Sequence, residues 1–336
     1  MKRVLLLTDS QPDLQTQRVL EQITVGLSGD YEFLHEPSAG RGLLASGGRL
    51  VRLRHANAAA DVVHAWGHRA LRLASVISAK PILYTPLPDD PASAIRWLRS
   101  AMLHRNIRVI SLTGADDRFC VEGGVAAEAC ALVRPGIRIS RQLGRDDALR
   151  VRLGIRKEAK ICLLVGESHE YADHAMALHA LALLASIKPE CGILFLGMGG
   201  QAEAVEELHS MSWPDKMLIN ARRVLGDGVN FEDLIPAADV GVISAPDRLA
   251  IVPVLACMAA GLPMVAPATR PVSELLEDRH TALLYSPRTP RALAQRVLML
   301  LEHAEMAHQI SDESRAEAYK LYSVSRFLDE MRRVYP

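Results

Sequence analysis

The sequence predicts an α/β protein of two doubly wound, parallel-sheet (Rossmann-like) domains. Runs that are apolar on successive residues, such as 4–7, 161–165 and 240–243, read as strands covered on both faces, as in parallel sheets. Segments of helical length follow these runs, giving the strand-then-helix alternation of right-handed crossover units. With 336 residues, 49% of them hydrophobic, the chain can bury two such cores.

The first domain is expected over residues 1–138. Residues 4–7 are its first strand, ending at Thr8-Asp9-Ser10, and residues 14–27 its first helix. Residues 38–55 place Gly40, Gly42, Gly47 and Gly48 beside Arg41, Arg49, Arg52 and Arg54. They read as a solvated loop running into a basic helix, with an anionic acceptor or lipid-headgroup surface as the alternative. Asp61-Val62-Val63-His64-Ala65-Trp66-Gly67 is the next strand. His64, at the end of that apolar run, is either a base or a hydrogen-bonded structural histidine. Residues 81–85 add a further strand.

Residues 139–160 are mostly polar and read as a linker containing a short helix at 149–153. The second domain, expected over 161–310, opens with a strand at 161–166, and its most informative stretch is 237–287. Asp239 precedes the apolar run 240–243, and Ser244-Ala245-Pro246-Asp247 form a loop. Residues 253–260 make a helix of small apolar residues closed by Gly261, and 264–266 the next strand. Such a unit points the free N–H groups of its helix toward the carboxyl ends of the strands, where α/β proteins bind anions. Helices follow at 290–303 and 311–334.

The run P-V-L-A-C-M-A-A-G-L-P-M-V-A at 253–266, with S-E-L-L-E-D at 273–278 and A-L-L-Y-S-P at 282–287, closely resembles the donor half of family 4 (group 1) glycosyltransferases. The D-V-V-H at 61–64 is similar to that family's D-V-V-H-x-H strand, residues 193–199 to its strand and G-x-G turn, and residues 108–111 and 132–137 to the last strands of its first domain. The resemblance implies the two-domain GT-B fold, with a C-terminal helix, 311–336, crossing back to the first domain. It also implies sugar transfer with retention from a nucleotide-linked donor to a carbohydrate or lipid-linked acceptor, without a cofactor.

The family's donor signature is two glutamates separated by seven residues. Aligned on Pro253 and Gly261, those positions hold Arg248 and Ala256. Its diphosphate-holding arginine and lysine fall at Glu167 and Ala172, and its first glycine-rich loop is Asp9-Ser10-Gln11-Pro12-Asp13. Leu249 and Ile251 stand where glycines would let backbone approach a phosphate. The donor-side candidates are therefore Gly166, Glu167, Gly197, Gly199, Arg248, Ser273 and Glu274, and the acceptor-side candidates Asp9, Ser10 and His64. Arg248 could meet a phosphate or pair with Asp247. Each charge-assisted bond contributes about 1.5–3 kcal/mol, so losing two weakens nucleotide binding by roughly a hundred- to ten-thousand-fold.

Lys plus Arg and Asp plus Glu balance at 39 each, which gives no sign of a nucleic-acid partner. Five cysteines without a C-x-x-C pair are expected as reduced thiols in a cytoplasmic protein. No apolar run approaches membrane-spanning length, leaving peripheral contact open. His169, His174 and His179 are spaced by five, which turns them apart on a helix, so no metal is expected. Two functions compete: a family 4-like transferase with an impaired donor site, or a non-catalytic scaffold binding a carbohydrate, nucleotide or protein partner.

Overall fold

The computed structural model describes residues 1–8, 14–37, 47–88, 90–138, 145–167, 172–197, 221–225, 231–247 and 249–336. The chain divides into two compact units: residues 1–136 with 324–336, and residues 137–323.

The first unit runs β1 (Lys2–Thr8), α1 (Leu14–Gly26), β2 (Tyr31–Pro37), α2 (Gly47–Ala59), β3 (Val62–Trp66), α3 (His68–Ile77), β4 (Ile82–Thr85), α4 (Ser93–Met102), β5 (Ile107–Ser111), α5 (Gly114–Glu122) and β6 (Cys130–Leu132). Its six parallel strands lie in the order β2-β1-β3-β4-β5-β6. Residues 4–7 are buried on both faces, as a central parallel strand requires. One face packs against α2 to α5 through Leu5, Val63, Leu71, Leu98 and Cys120. On the other side of the chain's path α1 packs with the last helix, α12 (Val324–Val334). Gly67, at φ 82°, makes the tight turn from β3 into α3, in a conformation that disfavours a side chain.

The second unit contains α6 (Asp147–Arg152), β7 (Lys160–Glu167), α7 (His174–Ile187), β8 (Cys191–Gly197), β9 (Ala221–Leu225), β10 (Val240–Val242), α8 (Ile251–Ala260), β11 (Met264–Pro267), α9 (Arg270–Ser273), β12 (Leu283–Tyr285), α10 (Pro290–Glu302) and α11 (Ala304–Leu321). Its parallel sheet has the order β12-β11-β10-β7-β8-β9. Helices α7 and α10 share one core with Cys162, Val242 and Val265, while α8 packs against β7 and α11.

Three sequence expectations change. Residues 132–137 are not one strand: β6 ends at Leu132, and Ile137 makes only a bridge to Ser323, its N–H donating to the Tyr322 carbonyl at 2.7 Å. The helix expected at 311–334 is two helices, α11 and α12, broken at Tyr322-Ser323 where that bridge takes over the backbone. The linker helix is fastened to the second unit. Arg150 is buried and donates to the Ala237 carbonyl at 2.9 Å, to Asp239 Oδ2 at 3.2 Å and to the Ala159 carbonyl. Asp239 Oδ2 also accepts from Ile161 N at 2.7 Å, so the acid ahead of β10 ties α6 to β7.

Candidate functional site

At the carboxyl edge of the second sheet the crossover β10–α8–β11 forms as its sequence implies. Gly261 closes α8 in the left-handed conformation, φ 71°, with its N–H on the Met258 carbonyl at 3.0 Å. All ten residues of α8 are buried, and Ala256, where the resemblance implies a donor-holding acid, is 5% exposed. The helix starts two residues earlier than its sequence suggests, at Ile251, behind an N-cap residue, Ala250, without a side-chain hydrogen bond. Gly166, at φ 95°, brings the end of β7 close to that cap: a Cβ on it would lie 3.9 Å from Ala250 Cβ. The strand end and helix start converge as in an anion site, yet they meet there through a methyl group and bare backbone.

The lysine position, Ala172, is buried, and its carbonyl accepts from Ser244 Oγ at 2.6 Å, which locks the chain before α7 onto the end of β10. Asp173 follows in the left-handed conformation, φ 48°. Burial raises its carboxyl above the usual range, with the Arg288 guanidinium pulling the other way. Arg288 donates to Asp247 Oδ2 at 2.8 Å, an exposed pair joining the loops after β10 and β12. Ser273 is exposed and Glu274 half-buried at the end of α9. Gly197 ends β8 opposite Leu225 of β9, and Glu167 ends β7 opposite Leu196. Arg248, Gly199, Asp9 and Ser10 lie outside the described residues.

Arg270 and Arg288 had not been singled out. Each is the third residue after a parallel strand, β11 or β12, which is the signal that places a cation on a carboxyl edge.

At the same edge of the first sheet, His64 is fully buried. Its Nδ1 shares a hydrogen bond of 2.7 Å with Tyr335 Oη and its Nε2 one of 2.9 Å with Thr85 Oγ1. Loss of solvent lowers its pKa to about 3, so the ring is neutral and enclosed. Of the two roles open to His64, the geometry matches the structural one, because neither ring nitrogen reaches solvent. A second network was not foreseen. Asp90 is buried and accepts from His68 N (2.8 Å), His68 Nδ1 (2.9 Å), Tyr84 Oη (2.7 Å) and Leu87 N (3.0 Å). It caps α3 and orients the partly exposed His68 ring. Among the described residues no cluster of His, Cys, Asp or Glu is arranged to hold a metal.

Two parallel-sheet units of this kind define the GT-B class, and comparison with solved structures bears the class out. Anabaena HepE in complex with UDP-glucose matches with TM-score 0.84 at 17% identity, covering 99% of each chain. Sucrose-phosphate synthase from Thermosynechococcus elongatus matches with TM-score 0.77 at 15% identity, covering 100% of this chain and 98% of that one. WaaG, a glycosyltransferase involved in lipopolysaccharide biosynthesis, matches with TM-score 0.71 at 15% identity over 99% of both chains. Residues 159–303 match the sequence model of the family Glycosyl transferases group 1, the family that the donor-half motifs resemble. No curated protein matches the chain.

Proposed function

We propose that this protein is a group 1 glycosyltransferase homologue with an impaired donor site, taking a nucleotide-linked sugar weakly. The observation that carries the reading is α8: the helix that would bear a donor-holding acid is wholly buried and apolar, with Ala256 at the acid's position. Ala172 at the lysine position supports it, since its side chain offers no charge and its carbonyl is occupied by Ser244. HepE, a full-length structural match, holds UDP-glucose, which makes UDP-sugars the first donors to test.

Stabilisation of a transferase's leaving diphosphate needs cations and N–H groups aimed at it. The scaffold retains the close approach of Gly166 to the start of α8 and, on its rim, Arg270 and Arg288. These can hold a diphosphate with fewer charge-assisted bonds than the family uses. The test is calorimetry and thermal shift with UDP-, GDP- and ADP-sugars. Binding in the millimolar range is expected, from a loss of roughly a hundred- to ten-thousand-fold. Micromolar affinity for any one of them overturns the impaired site, and silence at saturating concentration favours the non-catalytic scaffold.

A further inference from the structure

The outer face of the first unit carries a concentrated charge that the balanced totals conceal. Residues 38–108 contain eleven Arg and Lys against three Asp, in a chain whose totals are 39 and 39. The two described acids among these three are both engaged: Asp61 accepts from Arg3 N at 2.8 Å, and Asp90 is buried in the network around His68. Helices α2, α3 and α4 contain no acidic residue at all.

The arginines are arranged in a repeated way. On α3, Arg69, Arg72 and Val76 fall at i, i+3 and i+7, and on α4 and the turn after it Arg96, Arg99 and Leu103 take the same spacing. That spacing lines side chains along one stripe of a helix. All six are exposed, Val76 and Leu103 each at 79%, while the opposite stripes, with Leu71, Ala74 and Leu98, enter the core. None of the four arginines forms an ion pair with a described residue. The helices lie side by side, and Arg105 Nε donates to the Ser75 carbonyl at 3.0 Å, holding the end of α4 to the last turn of α3. Both aliphatic tips therefore stand at the same end of a doubled stripe of guanidiniums.

We propose that this face of α3 and α4 docks on an anionic lipid bilayer, with Arg69, Arg72, Arg96 and Arg99 on the headgroup phosphates and Val76 and Leu103 entering the interface. Charge complementarity points to an anionic surface. Exposed aliphatic side chains among the cations then favour lipid over nucleic acid, which would call for outward aromatics to stack on bases; Trp97 instead packs against the core. Among the described residues no helix is long and apolar enough to cross a membrane, so this is contact at a surface.

The test floats the full chain with phosphatidylcholine vesicles prepared with and without phosphatidylglycerol. Binding is expected only with the anionic lipid and is expected to be released at about 1 M salt, where the screening length falls to roughly 3 Å. A juxtamembrane cation contributes about fivefold, so Arg72→Glu with Arg99→Glu should weaken binding by at least about twenty-five-fold. Val76→Ser with Leu103→Ser should weaken it several-fold at unchanged charge, and Arg18→Glu, on α1, should leave it as it was. Equal binding to both vesicle types, no binding of the unsubstituted chain, or indifference to the serine pair overturns the proposal. Preferential retention of a single-stranded RNA oligonucleotide by the same arginines reassigns the face to nucleic acid and overturns it as well.

Discussion

The carboxyl edges of the two sheets are built by the same crossover and filled in opposite ways. In the first unit, the turn from β3 to α3 holds a buried carboxylate with four donors, and the strand behind it encloses a histidine with a hydroxyl on each nitrogen. In the second unit, the turn from β10 to α8 leads into ten buried residues without an ionisable acid or base beyond the Cys257 thiol. Folding asks of such a helix only an apolar stripe, a glycine at its end and a parallel strand on either side. Anion binding asks for charge at one or two positions of the same segment, and those positions can be emptied without loss of the fold.

Placing an acid in α8 breaks this contrast most forcefully. Ala256→Glu puts a carboxyl at a position only 5% exposed in a helix whose ten residues are all buried, and a buried glutamate can be raised several pKa units, a destabilisation of about 5 kcal/mol. Chemical denaturation should show an unfolded or strongly weakened second unit. A stable variant that gains UDP-sugar affinity would mean the helix start can open to a donor.

His64 gives the first unit a pH signature that the second lacks. Its folded pKa, about 3, lies below the ordinary value of 6.5, so below pH 6.5 the unfolded chain binds a proton that the folded chain refuses. Stability from this residue is complete above about pH 6.5 and falls by about 1.4 kcal/mol per pH unit down to about pH 3, roughly 5 kcal/mol in all. His64→Gln should flatten the unfolding free energy across that window relative to the parent. Parallel pH profiles for the two would show that His64 is not enclosed as described.

Asp90→Ala tests the carboxylate itself. It strands His68 N, Leu87 N and Tyr84 Oη, and a loss of about 3 kcal/mol in the first unit is expected by denaturant titration. A change below 1 kcal/mol, roughly one ordinary hydrogen bond, would remove the network from the folding account. Ser244→Ala is the mildest probe, releasing a single hydroxyl bond to the Ala172 carbonyl, for about 1 kcal/mol in the second unit. If the substitution instead improves donor affinity, that latch is closing the site.

Several elements could be read directly from residues. The runs at 4–7, 161–165 and 240–243 become buried parallel strands, and Gly261 ends α8, because burial on both faces and a positive φ each leave a local mark in the sequence. The absence of acid at Ala256 was also visible, since it needs only an alignment with the family. Less could be seen of the polar networks. Asp90 serves a turn more than twenty residues upstream, Arg150 serves the Ala159 and Ala237 carbonyls and the Asp239 carboxylate ahead of two strands, and Tyr335 closes on His64 across 271 positions of sequence.

The sequence by itself determined where several central strands and helices fall, the resemblance to group 1 glycosyltransferases and the absence of charged residues along α8, all of which depend on spacing between near neighbours. Only the tertiary structure decided that His64 is enclosed, that Arg150 fastens the linker helix to the second unit, and that four arginines of α3 and α4 share one outer face. Those outcomes rest on which distant segments meet, and a hydrogen bond or a shared surface leaves no periodicity in the chain that forms it.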